Sequence, residues 1–290
     1  MREPTLAEVL ANVDAVLREY GRAALCQIVR AEGSTPGKAG WKLLLMPDGS
    51  ARGNLGGGAF EALVKADAAA LLRRDDSQPT PGEIKRYYFT EEAVRGQATG
   101  MVCGGMAEVF LEVLESSPLL VLCGGGPVAQ AVARGAGLAG FELLIVEDRA
   151  EFLRAELFPE GTRTVRVGRD YPDDFLRPFA RREIYAAVVT RCWETDTAAL
   201  AAILRQAPSR LRYLGLMGSR RKIVRVRAEL ALRNYGADLT LLRAPIGLPI
   251  GGDSPGEIAL SILAELVQVR NQPAAEAAAT SLTTEARSAP

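Results

Sequence analysis

The sequence predicts an α/β protein in two parts: a small N-terminal α+β domain over residues 1–117 and a parallel-sheet domain over 118–270. Two observations carry this expectation. At 290 residues, the chain is longer than one average domain. Its grammar also changes at Ser116-Ser117-Pro118. Before that break, short strand-like runs meet at turns. After it, runs that are apolar along their whole length alternate with helical periods, as strands covered on both faces do.

The elements follow in order. Leu6, Val9, Leu10, Val13, Val16 and Leu17 recur at helical spacing and predict a first helix ending near Gly21. Residues 23–29 read as a buried strand. Residues 41–46 and 51–55, joined by Pro47-Asp48-Gly49, read as a hairpin. The Ala/Leu-rich stretch 59–73 reads as a helix, 75–82 as a loop, and 84–89 and 106–114 as strands. In the second part, strands are expected over 119–122, 141–146, 185–190 and 212–217. Helices are expected over 128–137, 196–205, 220–235 and 255–270. From Asn271 the composition turns to Ala, Thr, Ser, Glu and Pro, which predicts a disordered tail over 271–290.

Composition removes whole classes of chemistry. With no histidine, Ser-His-Asp hydrolases, His-paired cysteine nucleophiles and His-containing metal sites are excluded. The four cysteines, Cys26, Cys103, Cys123 and Cys192, form no CxxC, which argues against a zinc ribbon or a disulfide scaffold. Thirty-five basic residues balance thirty-five acidic ones, which argues against a nucleic-acid partner. No apolar run reaches membrane-spanning length and no signal peptide is evident. The expectation is a cytoplasmic protein with no membrane contact.

Four segments carry candidate chemistry. Residues 119–123 run into Gly124-Gly125-Gly126 and on to Ala129, which fits GxGxx[GA] opening a helix. Glu147 and Asp148 end the next strand, 23 and 24 residues after Gly124. This is a Rossmann-like signature. Small residues admit a phosphate to a helix N-terminus, and the acid faces a ribose hydroxyl. Gly126 is expected to need a positive φ. A second strand-to-helix turn carries Gly218, Ser219, Arg220, Arg221 and Lys222. Ser219 caps the helix, and positive charge in its first turn suits a bound anion. In the first part, Gly33-Ser34-Thr35-Pro36-Gly37 and Gly56-Gly57-Gly58 are glycine turns that suit a second anion or a pterin-like ligand. Finally, Cys103 lies before Gly104 and Gly105, where a thiolate would be accessible. No acid–base pair stands out as catalytic.

Together these segments resemble the XdhC/CoxI family, accessory proteins that mature molybdenum hydroxylases such as xanthine dehydrogenase. The resemblance covers about residues 1–270. It is carried by the glycine turns, by Met101-Val102-Cys103-Gly104-Gly105 and by Cys123-Gly124-Gly125-Gly126-Pro127. It continues through Glu147-Asp148-Arg149, Thr190 to Asp196, Leu214 to Lys222, Ala244-Pro245-Ile246-Gly247-Leu248, Ser254 to Ala259 and Ile262 to Leu266. It implies binding of the molybdenum cofactor (molybdopterin), help with its sulfuration, and delivery to a xanthine dehydrogenase-type hydroxylase. A cysteine desulfurase would be a second partner. Separately, because small cytosolic carriers commonly self-associate, a homodimer is the expected assembly. The implied cofactor-binding residues are Gly56, Gly57, Gly58, Cys103, Gly104, Gly124, Gly125, Gly126, Glu147, Asp148, Gly218, Ser219, Arg220 and Arg221, with Cys103 the metal ligand.

The chain departs from the family at two places. Ala59 stands where members often carry a cysteine, and Arg191-Cys192-Trp193-Glu194 stands where many carry a histidine. Cys192 is a second sulfur candidate. The competing readings are an NAD(P)-dependent oxidoreductase, with Tyr185, Tyr213 or Lys222 as proton donor, and a cofactor-free scaffold.

Overall fold

The computed structural model describes residues 13, 15–17, 19–74, 82–89, 97–98, 104–179, 182–206, 211–235, 239 and 241–272. Cys103, the expected tail from residue 273 onward and most of the expected first helix lie outside the described residues. The chain divides into two compact units, Met1–Ser116 and Ser117–Pro290.

The first unit is a six-stranded sheet in the order β3-β2-β1-β6-β4-β5. Its strands are β1 (Arg22–Glu32), β2 (Lys42–Leu45), β3 (Ala51–Gly53), β4 (Glu83–Tyr88), β5 (Gln97–Ala98) and β6 (Met106–Glu115). Every pairing is antiparallel except β4 with β5. The side-chain period of two sorts the sheet. Ala24, Cys26 and Ile28 point to one face, where helix α1 (Gly58–Leu72) lays down Phe60, Val64, Ala68, Leu71 and Leu72 at helical spacing. Ala23, Leu44 and Met46 point to the other face and pack with Val16 from the described part of the first helix. β3 is shorter than the expected 51–55. Gly53 turns the chain at φ +94°, and a Cβ there would stand 2.3 Å from the Lys42 carbonyl oxygen.

The second unit is a fully parallel sheet of six strands in the order β12-β11-β10-β7-β8-β9. They are β7 (Leu119–Cys123), β8 (Glu142–Glu147), β9 (Arg163–Arg166), β10 (Ile184–Val188), β11 (Leu211–Leu216) and β12 (Leu242–Arg243). β7 and β10 are buried at every residue. Helices α2 (Pro127–Ala136) and α5 (Pro255–Asn271) cover one face; α3 (Trp193–Gln206) and α4 (Arg220–Leu232) cover the other. Gly135 lets α2 approach α5, since a Cβ there would stand 2.4 Å from a Leu263 methyl. Strand order reverses between β7 and β10. The crevice outside the carboxyl ends of the strands at that switch point is where such sheets bind ligands.

Two features depart from simple alternation. Among the described residues, the links around β9 hold 3-10 turns at Ala150–Phe152, Ala155–Leu157 and Arg177–Phe179 and no α-helix. Tyr171, Phe175, Leu176 and Phe179 fill the core where a helix would lie. Helix α4 ends before the expected residue 235. Asn234 takes φ +66° and Tyr235 N–H returns to the Leu230 carbonyl, a left-handed helix stop. At the opposite edge of the sheet, buried Arg182 donates to Glu142 at 2.7 Å and to the Ser117 carbonyl.

Candidate functional site

The loops after β7, β8, β10, β11 and β12 all leave the carboxyl edge of the parallel sheet. The β7–α2 turn lies at its centre. Gly124 carries the positive φ, +114°, and a Cβ there would stand 2.7 Å from the Val189 carbonyl oxygen. Only glycine allows β7 and β10 to come together in this way. At Gly125 a Cβ would meet the Phe152 carbonyl oxygen at 2.5 Å. Gly126 differs from its sequence expectation. Its φ is −70°, so it needs no left-handed backbone, and no atom lies within 4 Å of where its Cβ would be. Helix α2 therefore opens on free space with no side-chain cap and with Pro127 in its first turn.

Glu147 ends β8 and turns back beneath this loop. It is 2% exposed. Oε2 accepts Gly125 N–H at 2.8 Å and Arg149 Nη2 at 3.0 Å, while Oε1 accepts the N–H groups of Asp148 and Arg149 and the Arg149 Nε. Arg149 also stacks on Phe152, 4.0 Å from its ring centroid. Asp148 points the other way, and both its oxygens accept from Arg191 at 2.7 Å. The Arg191 guanidinium holds the Asp148 carboxyl well below the usual carboxylate range. The two acids that the sequence offers to a ribose thus both have partners within the protein.

A second cluster joins the β10 and β11 loops. Thr190 Oγ1 donates to Asp196 Oδ1 at 2.7 Å, and Lys222 Nζ lies 2.6 Å from Asp196 Oδ2. Asp196 is fully buried. Burial pushes its carboxyl above the ordinary value, against the opposing pull of Lys222 and Thr190. Gly218 makes room for the lysine, since a Cβ there would stand 2.2 Å from Lys222 Cε. Ser219 caps α4 by accepting Lys222 N–H, while Arg220 and Arg221 remain exposed. Lys222 thus leaves the basic cluster in which the sequence groups it. Beside this cluster Cys192 is half-buried, with Sγ 2.8 Å from Thr195 Oγ1.

The loop after β12 is fixed by Glu265 from α5. Its Oε2 accepts Gly247 N–H at 2.7 Å and the Tyr213 hydroxyl, and Arg243 Nη1 lies 3.5 Å from Oε1. Ser254 and Glu257 form a capping box at the start of α5.

The first unit brings its own glycine turns together. Ser34 pairs with Gly104 in an isolated bridge, and a Gly105 Cβ would stand 2.3 Å from the Ser34 carbonyl oxygen. Gly56 lies against Pro36. Glu61, in the first turn of α1, accepts the N–H groups of Leu55 at 3.0 Å and Gly57 at 3.2 Å and pairs with Lys65. Burial alone would raise the Glu61 carboxyl; the bonds from Lys65, Leu55 and Gly57 outweigh it and hold the group below its ordinary value. Of the predicted residues here, Gly56, Gly57, Gly58 and Gly104 lie in this cluster. Cys103 lies outside the described residues.

Sequence reasoning assigned no role to Asp196, Glu265, Thr190 or Arg191. A buried acid inside a helix that reads as amphipathic gives no periodic signal. Among the described residues no cluster of acids and cysteines is arranged to hold a metal, and no helix is long and apolar enough to cross a membrane.

Known proteins share this arrangement of segments. Residues 120–266 match the XdhC Rossmann domain, and residues 16–87 match the XdhC and CoxI family. The chain is 32% identical over 249 residues to the uncharacterized protein YqeB of Escherichia coli, covering 86% of this chain and 43% of that one. It is 29% identical over 165 residues to a probable xanthine dehydrogenase subunit of Bacillus subtilis, covering 57% and 46%. The chain thus spans less than half the length of these two relatives. Among solved structures it is similar to a xanthine dehydrogenase from Bacillus halodurans, with 21% identity, a TM-score of 0.45, and coverage of 90% and 95%.

Proposed function

Because the chain belongs to the XdhC and CoxI family, we propose that it is an accessory protein that matures a xanthine dehydrogenase-type molybdenum hydroxylase. In this reading it binds the molybdenum cofactor, keeps it from water, assists its sulfuration and passes it to the apo-enzyme. One observation supports a carrier most. At the carboxyl edge, Glu147, Asp148 and Asp196 are neutralised inside the protein, while the start of α2 at Gly126 stays open and Arg220 and Arg221 stay exposed. That edge suits an anion.

The residues present fit the cofactor's phosphate. Gly126 leaves space before a helix that no side chain caps, and Arg220 or Arg221 supplies a charged donor. When bound, the cofactor supplies the metal and its dithiolene sulfurs for the hydroxylase. This chain's own part is to hold the phosphate at the carboxyl edge of the parallel sheet; the turns at Gly56, Gly57, Gly58 and Gly104 are a separate candidate, within the first unit, for a second anion or pterin-like ligand. Cys103 is the soft-ligand candidate of that first-unit site.

The oxidoreductase reading fares worse. Tyr185 and Tyr213 are 1% exposed within the core, burial pushes the Tyr185 hydroxyl up to about 12, and Lys222 is ion-paired to Asp196. None of the three is a free proton donor. The test is activation of a cofactor-free hydroxylase by the loaded protein. Arg220→Ala should weaken cofactor transfer by about 10- to 150-fold, the loss expected for one charge-assisted hydrogen bond. Activation that is independent of the accessory chain would overturn the proposal, and micromolar NAD(P)H binding with no pterin would favour the oxidoreductase.

A further inference from the structure

The Arg191–Asp148 pair spans the switch point. In the sheet, β7 lies between β10 and β8. Arg191 follows β10 and Asp148 follows β8, so their side chains meet across the end of β7, where the glycine turn emerges. Contacts place the guanidinium beside that turn. Arg191 Nη1 is 3.8 Å from Glu147 Oε1, and the other oxygen of Glu147 accepts Gly125 N–H.

We propose that this pair is a clasp that an anionic ligand opens: a phosphate or diphosphate group displaces Asp148 and takes the Arg191 fork. The proposal deepens the carrier reading and rests on it, because it adds Arg191 to Arg220 or Arg221 as a residue that receives the ligand's phosphate. Three features support an exchange of partner over a fixed structural bridge.

A guanidinium fork accepts carboxylate and phosphate with the same paired geometry, and a phosphate brings more charge. The pair is reachable from solvent, with the Arg191 side chain 31% exposed, so a ligand anion can approach the guanidinium. Asp148 also has reserve partners: Arg169 Nε lies 3.8 Å from Oδ2 and Arg149 Nε 3.9 Å from Oδ1. When Arg191 leaves, the carboxylate keeps cationic neighbours. Glu147 is unaffected, because Arg149 and the loop N–H groups satisfy it. The clasp also accounts for Arg191, the residue that stands in the segment after β10 where the sequence departs from its family.

The experiment is calorimetric titration of the full chain with inorganic pyrophosphate. Asp148→Asn removes the resting competitor and should tighten binding by about tenfold, and Arg191→Ala should weaken it by about tenfold or more. Arg191→Lys, which keeps the charge and loses the fork, should fall between. Glu151→Gln, an equal charge change on the exposed turn after β8, should have less than about a twofold effect. The clasp is overturned if Asp148→Asn binds no more tightly than the wild type, if Glu151→Gln tightens binding as much, or if neither the wild type nor Asp148→Asn binds pyrophosphate. Failure of the carrier reading looks different. Tighter pyrophosphate binding in Asp148→Asn without any pterin in the purified protein keeps the clasp and removes the carrier. Equal pterin content in wild type, Asp148→Asn and Arg191→Ala does the reverse.

Discussion

Replacing Lys222 by methionine isolates the buried ion pair that joins the β10 and β11 loops. At 2.6 Å, two unit charges attract by about 6 kcal/mol at an effective dielectric constant of about 20. Desolvation of both groups offsets much of that. The relevant quantity is therefore the cost of leaving Asp196 buried with Thr190 as its remaining donor, about 3–5 kcal/mol. The cost depends on pH. In the native protein the Asp196 carboxyl already lies above its ordinary value, because burial outweighs Lys222 and Thr190. Without Lys222 it rises further. A folded-state pKa above the unfolded one means that the folded state holds more protons, so stability falls as pH rises from about 4 toward the folded value. Lys222→Met should therefore cost about 3 kcal/mol or more at pH 8 and much less at pH 4–5. Urea unfolding read from Trp193, with Trp41→Phe as background, reports the second unit alone. Adding Asp196→Asn should recover more than half of the loss. A cost below about 1 kcal/mol at pH 8, or one equal at both pH values, would refute a charge-bearing pair at this position.

Gly125→Ala should destabilise the second unit by about 1–3 kcal/mol, because its Cβ would meet the Phe152 backbone at 2.5 Å, whereas Gly126→Ala should change stability by less than about 0.5 kcal/mol; chemical denaturation of the two compares them directly. Glu61→Ala should cost about 1–2 kcal/mol at neutral pH. The Glu61 carboxyl is held below its ordinary value, so its contribution is present above about pH 4.5 and lost as pH falls through the lower folded value, which a pH series of unfolding curves would show. In the folded protein, iodoacetamide should spare Cys26, pushed up to about 12 by burial, and the fully buried Cys123, and should modify Cys192 faster, as peptide mass mapping would read.

Legibility in the sequence followed burial and period. β7 and β10, apolar throughout, and α1, with its 60-64-68-71 stripe, announced themselves, and with them the parallel sheet and its glycine turn. The edge strands β9 and β12 did not. Arg163–Arg166 alternates half-buried with exposed positions over four residues, and Leu242–Arg243 is two residues long, so neither outweighs its charge in a hydropathy pattern. The candidate site was legible as motifs and illegible as geometry. Glu147 and Asp148 stood where a ribose acid is expected, but pairing with Arg149 and Arg191 depends on strand order, which no local window contains. The same holds for Lys222, whose direction is set by a glycine four residues earlier and an acid twenty-six residues earlier. The positive φ belonged to Gly124 because β10 packs against it, a contact separated by sixty-five residues of chain.

The central claim is that this chain carries the molybdenum cofactor at the carboxyl edge of its parallel sheet. Its most direct test is the pterin and molybdenum content of wild type and Gly126→Val purified from cells that make the cofactor. Gly126 has room for a side chain within the fold, and its φ of −70° suits valine. The variant should fold normally while its side chain fills the space before α2. The account predicts fluorescent pterin oxidation products and molybdenum from the wild type and a loss of both from the variant. Equal contents in the two proteins, or none in the wild type, would contradict it.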